Sequence, residues 1–176
     1  MAAPAPPPLT VRLGLAALCG VVVAALAAAA FVASVPLILT SWASSMGLIT
    51  TATGTPPAAP WRVAGGHLVS GAVGLGFVLV AGPEDLAQLA AASLPAQLAA
   101  AGLIGLAVAT AVAAMWFTGA LHPPAAANPA IALVSPLAAG LPYAGLVLGG
   151  AVVLGTVSLV LHRWRHGPVP AQVPPH

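Results

Sequence analysis

LAQLAAASLPAQLAAAGLIGLAVATAVAAMWFTGALHPPAAANPAIALVSPLAAGLPYAGLVLGGAVVLGTVSLVLH, residues 86–162, is a run of 77 positions without an Asp, Glu, Lys or Arg. About 20 apolar residues cross the hydrocarbon core of a bilayer, so this stretch has the length of roughly three crossings. The rest of the chain follows the same rule. Arg12 and Arg62 are separated by 49 uncharged residues, and Arg62 and Glu84 by 21. These gaps hold two crossings and one. The whole chain of 176 residues carries four Arg, two acids and no Lys, is 60% apolar, and has a mean hydropathy of +1.07. A soluble domain carries about a quarter charged residues. A water-facing globule is therefore excluded, and the chain reads as an all-α integral membrane protein whose first partner is the lipid bilayer. Four scattered Arg make no basic patch, which excludes nucleic acid. Cys19 is single, so no intrachain disulfide and no Cys metal site is expected. Arg12 and the apolar run after it resemble a secretory leader, but the run is too long for a leader core and more apolar segments follow.

Pro and Gly divide the chain into about six segments. Residues 1–10, rich in Pro, form a loose tail. The membrane domain covers 11–165, with halves at 11–82 and 95–163, and 166–176 is a second loose tail. Long helices are expected at 11–34, 61–82, 95–118 and 141–162. Between them lie two short segments, one opened by Pro36 and ending near Thr53, the other opened by His122-Pro123-Pro124 and ending near Pro136. These two are either full crossings or re-entrant. If all six cross with the N-terminus inside, every Arg falls on the inner side and Glu84/Asp85 outside, as the positive-inside rule prefers. N- and C-termini are then cytoplasmic, in a bacterial inner membrane. Three segments per half invert the second half relative to the first, a recurring transporter design.

The short segments carry the polar chemistry. Ser41, Ser44 and Ser45 recur at helical spacing and are expected to share a face, either packing on a neighbour or lining a path. Trp42 lies among them, away from the segment ends where Trp61, Trp116 and Trp164 fall, and is a candidate path residue. Pro123 and Pro124 stiffen the entry to the second short segment. Pro129 is expected to break it, leaving backbone groups for His122 and Asn128 to satisfy. Both short segments start with Pro, and two such helix N-termini meeting at mid-membrane would bind an anion through their amides. Gly66, Ser70 and Gly74 form a small-residue stripe for close packing, with His67 beside it and facing inward. Arg62 is an interfacial anchor or an anion gate. Protonation of His122 or His67 would couple anion to proton movement, or bring the anion through as its neutral acid. No paired carboxylates, Ser/His/Asp set, phosphate loop or metal-ligand spacing is present, so neither an enzyme, a cofactor nor a metal is expected. A structural or regulatory subunit is the other class. Small-residue faces on so small a bundle point to a homo-oligomer.

Three stretches together resemble the HPP family of integral membrane proteins. They are Pro36 to Ser45, Pro56 to Gly71 with Gly65-Gly66-His67 inside it, and Leu121-His122-Pro123-Pro124-Ala125-Ala126-Ala127-Asn128-Pro129. The resemblance covers most of 11–165. It implies at least four spans and, because plant and cyanobacterial members are implicated in nitrite transport, a small inorganic anion such as nitrite as substrate. Two places depart from the family pattern. Ala59-Pro60-Trp61-Arg62 stands where Gln-Pro-Arg-Asn is usual, and Ala43-Ser44-Ser45-Met46 where Gly-Ala-Ser-Ala is usual.

Overall fold

The computed structural model describes residues 8–32, 38–81, 93–135 and 141–167, and among these every regular element is helical. Four helices are long and apolar. They are α1 (Leu9–Val32, 24 residues), α3 (Pro60–Ala81, 22), α4 (Leu94–Phe117, 24) and α6 (Leu141–His166, 26). Two are short: α2 (Ile38–Thr51, 14) and α5 (Asn128–Val134, 7), the latter entered through a 3-10 turn at Pro123–Ala127. The four long helices are the candidate membrane spans by length and composition. At 1.5 Å per residue they are about 33–39 Å long, enough for the roughly 30 Å hydrocarbon core. Leu9 and Thr10 extend α1 beyond its expected start, and α6 runs on to His166, because neither end holds a helix breaker until Pro8 and Gly167. Pro36 and Glu84/Asp85 lie outside the described residues, as do most of both tails.

The segments alternate in direction. Trp164 and Leu161 of α6 share an apolar surface groove of about 380 Å³ with Thr10, Gly14 and Leu18 of α1, so α1 starts where α6 ends. The loop from α2 to α3 is held at that same end, where Ser158 donates to the Ala58 carbonyl (2.6 Å). Gly119, just past α4, packs on the Trp61 ring at the start of α3. Helices α1 and α3 therefore leave this end, and α2, α4 and α6 arrive at it. The segment 118–134 leaves it again, with His122 beside Gly66 and Pro129 beside Gly74 along α3. Six segments alternate, and the helical positions of Arg12, Arg62, Arg163 and Arg165 all fall at one end of the bundle.

Helix α3 is the axis of the bundle, packed on α4, α5 and α6. It runs antiparallel to α6, with Gly74 against Tyr143, Gly71 against Val147 and Ala64 against Gly155. Lipid is as apolar as Leu, so association in a membrane depends on close contact, and the missing side chains of Gly71 and Gly74 provide it. The halves correspond: α1 packs on α2 as α4 packs on α5, and α2 packs on α6 as α5 packs on α3. Outward positions such as Leu79, Val80, Leu106 and Phe117 are exposed for lipid.

Whether the two Pro-started tips meet lies outside the described residues, because Pro36 does; the described parts of the two segments overlap. Ser41 reaches Pro124 and, one turn further along α2, Ser45 reaches His122, so the segments lie side by side and antiparallel. Pro129 does not break the second segment either. It sits in the first turn of α5, where its missing N–H has no partner to lose. The polar groups described at the centre are side chains.

Candidate functional site

The first link is forced by helical geometry. Ser41 and Ser45 are one turn apart on α2 and both fully buried, whereas Ser44 points away and is exposed. Residues 44 and 45 are about 100° apart around a helix, so the three serines do not share one face. Ser44 bonds back to the Thr40 carbonyl (2.7 Å) and takes no part in the site. Ser41 donates to the Pro124 carbonyl (2.9 Å), tying α2 to the 3-10 turn.

Ser45 is the hub. Its Oγ lies 2.9 Å from His67 Nε2 and 2.9 Å from His122 Nε2, and the two rings are tilted with centroids 5.4 Å apart. His67 lies seven residues into α3, about 10 Å from its start. His122 gets so close because Gly66 has no side chain. A Cβ there would stand 2.6 Å from His122 Cβ. Both rings are fully buried, as is Asn128.

The hydrogens follow from the partners. Pro57 offers only a carbonyl, so His122 Nδ1 carries a hydrogen and donates to it (2.8 Å). In the neutral ring Nε2 is then an acceptor, and Ser45 must donate to it. Asn128 Nδ2 donates to His67 Nδ1 (3.2 Å), so the His67 hydrogen sits on Nε2 and is given to Ser45 Oγ. The Asn128 amide is oriented by its other contacts. Its Nδ2 also meets the Ser70 Oγ (2.9 Å) and the His67 carbonyl (3.4 Å), and Ser70 donates to that same carbonyl (3.3 Å). Tyr143 donates to the Asn128 carbonyl (2.8 Å) from α6. The result is one directed chain, Asn128 to His67 to Ser45 to His122 to the Pro57 carbonyl, through four elements of the bundle. Ser45 has a further acceptor in reach, the Ser41 carbonyl at 2.8 Å. Its single hydrogen therefore has two places to go. Asn128 Oδ1 is buried without a partner.

His67, His122, Asn128, Ser41 and Ser45 are thus brought together, with Gly66, Pro123 and Pro124 shaping the approach. Besides Ser44, two expected members are elsewhere. Trp42 is buried against Gly150 of α6 with its Nε1 unpartnered. It is the next residue after Ser41, and that rotation turns it away from the histidines. Arg62 lies over the neighbouring Trp61 ring (4.8 Å), at the bundle end rather than in the polar centre. His162 and His166 both belong to α6, which runs past its expected end at 162, and His166 meets the Thr53 carbonyl (3.2 Å). Tyr143 and Ser158 are site or scaffold residues that sequence reading passed over. The signal was present, since Tyr143 is the one Tyr of the chain and Ser158 interrupts an apolar run. Among the described residues no three His, Cys, Asp or Glu side chains are grouped to hold a metal.

The family model for the HPP transmembrane region matches residues 3–170. The chain belongs to that family. No curated protein and no solved structure matches it. In this HPP family member the name-giving His122-Pro123-Pro124 marks the point where an extended segment turns into the membrane interior beside α3. The His joins the buried network through Ser45 and the Pro57 carbonyl. The two Pro residues start the 3-10 turn, where they have no N–H to leave unpaired.

Proposed function

We propose that this HPP family member is a membrane transporter or channel for a small anion, with nitrite first among the candidates. The observation that carries the reading is the Ser45 bridge, a buried polar centre of two histidines and an asparagine inside an otherwise apolar bundle. Polar and ionisable groups at membrane depth are costly and mark substrate or ion paths. The inverted correspondence of the halves, with a short segment from each at the centre, is the arrangement of many secondary transporters. The described residues of the centre include no carboxylate, and its N–H and O–H groups, now bonded to one another, could turn to an anion by exchanging those bonds. The single Arg-bearing end points to both termini in the cytoplasm of a bacterial inner membrane. Close packing of small-residue faces between copies would give a homo-oligomer. No reaction is proposed for the centre, whose Ser45–His122 pair is fully buried.

Nitrite uptake into proteoliposomes, compared with protein-free vesicles and with His122→Ala, tests the reading. Wild type exceeds the vesicle background. His122→Ala loses at least about tenfold, the equivalent of roughly 1.4 kcal/mol, within the range for one buried hydrogen-bonding group. Equal uptake in both would remove the histidine role. A second reading, a structural or regulatory membrane subunit, is favoured by the closure of the network: both rings are fully buried and His122 is bonded to the backbone. Folded protein that carries no anion in any vesicle assay would select it.

A further inference from the structure

Hydrogen counting at the Ser45 bridge separates the two histidines. In the uncharged site Ser45 donates to His122 Nε2. If His122 Nε2 takes a proton, that bond reverses and Ser45 becomes the acceptor. The Ser45 hydrogen then swings to the Ser41 carbonyl, 2.8 Å away. Ser45 Oγ accepts from both rings and donates once, its full complement. No heavy atom has to move. His67 has no such provision without turning the Asn128 amide over. Its second nitrogen faces the Asn128 Nδ2 at 3.2 Å, and a proton there would set N–H against N–H. Turning the amide over would instead bring Oδ1 against the His67 carbonyl, which now lies 3.4 Å from Nδ2.

Among the described residues the protonated ring has no counter-charge. Of the elements around His122, α3 contributes His67, with Arg62 in its first turn, and α6 contributes Tyr143, which reaches the site through the Asn128 carbonyl, with His162, Arg163, Arg165 and His166 at its last turns. Helices α2, α4 and α5 and the 56–58 turn contribute no titratable or charged side chain. The only acids of the chain, Glu84 and Asp85, follow the far end of α3, outside the described residues. A bare imidazolium buried in apolar surroundings is strongly disfavoured, and a paired one far less so.

We infer that His122 is the proton seat, that Ser45 is the positioning residue that lets the seat hold either charge state, and that the transported anion is its counter-ion. Anion and proton then load together, one of each, and the transport cycle is electroneutral. This rests on the transport reading above and names its coupling ion.

The full chain in proteoliposomes tests it, with nitrite as the probe, protein-free vesicles as baseline, and a trapped pH dye. Nitrite uptake follows an inward proton gradient, ignores a potassium–valinomycin potential of either sign, and brings one proton per anion. Uptake driven by the potential, or without proton entry, overturns the inference and leaves the transport reading standing. No uptake above baseline overturns both. A second measurement does not need transport. In weakly buffered detergent solution, nitrite binding draws one proton into wild type and into His67→Gln, but none into His122→Gln. The reverse assignment overturns the seat. Ser45→Ala lowers the ratio of protons to anions and Ser45→Thr restores it; an unchanged ratio in Ser45→Ala removes the positioning role.

Discussion

Gly66→Ala probes the contact that brings His122 to its partners. The added Cβ would lie 2.6 Å from His122 Cβ and 3.0 Å from the Ala120 carbonyl oxygen. Carbon atoms pack at about 3.5–4.0 Å, so the two segments must part by about 1 Å. Neither obstacle is the far end of a flexible side chain, so rotation cannot relieve the clash. A shift of that size takes His122 from 2.9 Å to Ser45 and 2.8 Å to Pro57 past the hydrogen-bond limit of about 3.5 Å. Overpacking costs about 1–3 kcal/mol. A buried group left unpaired costs about 1–3 kcal/mol more. The expected loss is therefore about 2–6 kcal/mol. Thermal unfolding in mild detergent, followed by circular dichroism, reads it. The control is Gly76→Ala on the same helix, where an added Cβ meets nothing within 4 Å. There the substitution gains up to about 1 kcal/mol of helix propensity. Gly66→Ala and Gly76→Ala unfolding at the same temperature would refute the claim that this contact sets the site.

Three more outcomes are expected. Gly150→Ala destabilises the chain because the new Cβ would collide with Trp42 Nε1, and Trp42→Phe, which deletes that atom, relieves part of the loss; a double-mutant cycle in thermal unfolding should give a coupling of about 0.5–3 kcal/mol, and additivity would contradict the contact. Ser158→Ala frees the Ala58 carbonyl and costs about 1 kcal/mol or more, with faster hydrogen exchange in residues 52–59, whereas unchanged exchange would show that the bond does not hold the loop. Trp116 and Trp164 are exposed at the Arg-bearing end. In single-Trp variants, shallow brominated lipids should quench both more than deep ones, with buried Trp42 little affected; the opposite depth order would move that end out of the interface.

The membrane class and the six segments were legible in the sequence because both depend on composition alone. A run of 77 uncharged residues has only a bilayer to live in, and Pro and Gly cut it at places the structure largely keeps. His67, His122, Asn128, Ser41 and Ser45 were legible for a related reason, since a polar side chain in such a run must find a partner. Which partner it finds was not legible. Ser44 and Trp42 have the same local credentials as Ser45, and helical rotation against the neighbouring elements alone turns Ser45 inward to the histidines, Ser44 outward and Trp42 onto Gly150. The antiparallel overlap of the short segments is likewise a tertiary result, because it joins residues 83 and 77 positions apart through Ser41–Pro124 and Ser45–His122. Sequence determines which groups cannot face lipid. Only packing decides where each donor meets its acceptor, because a hydrogen bond depends on fractions of an ångström that no spacing along the chain encodes.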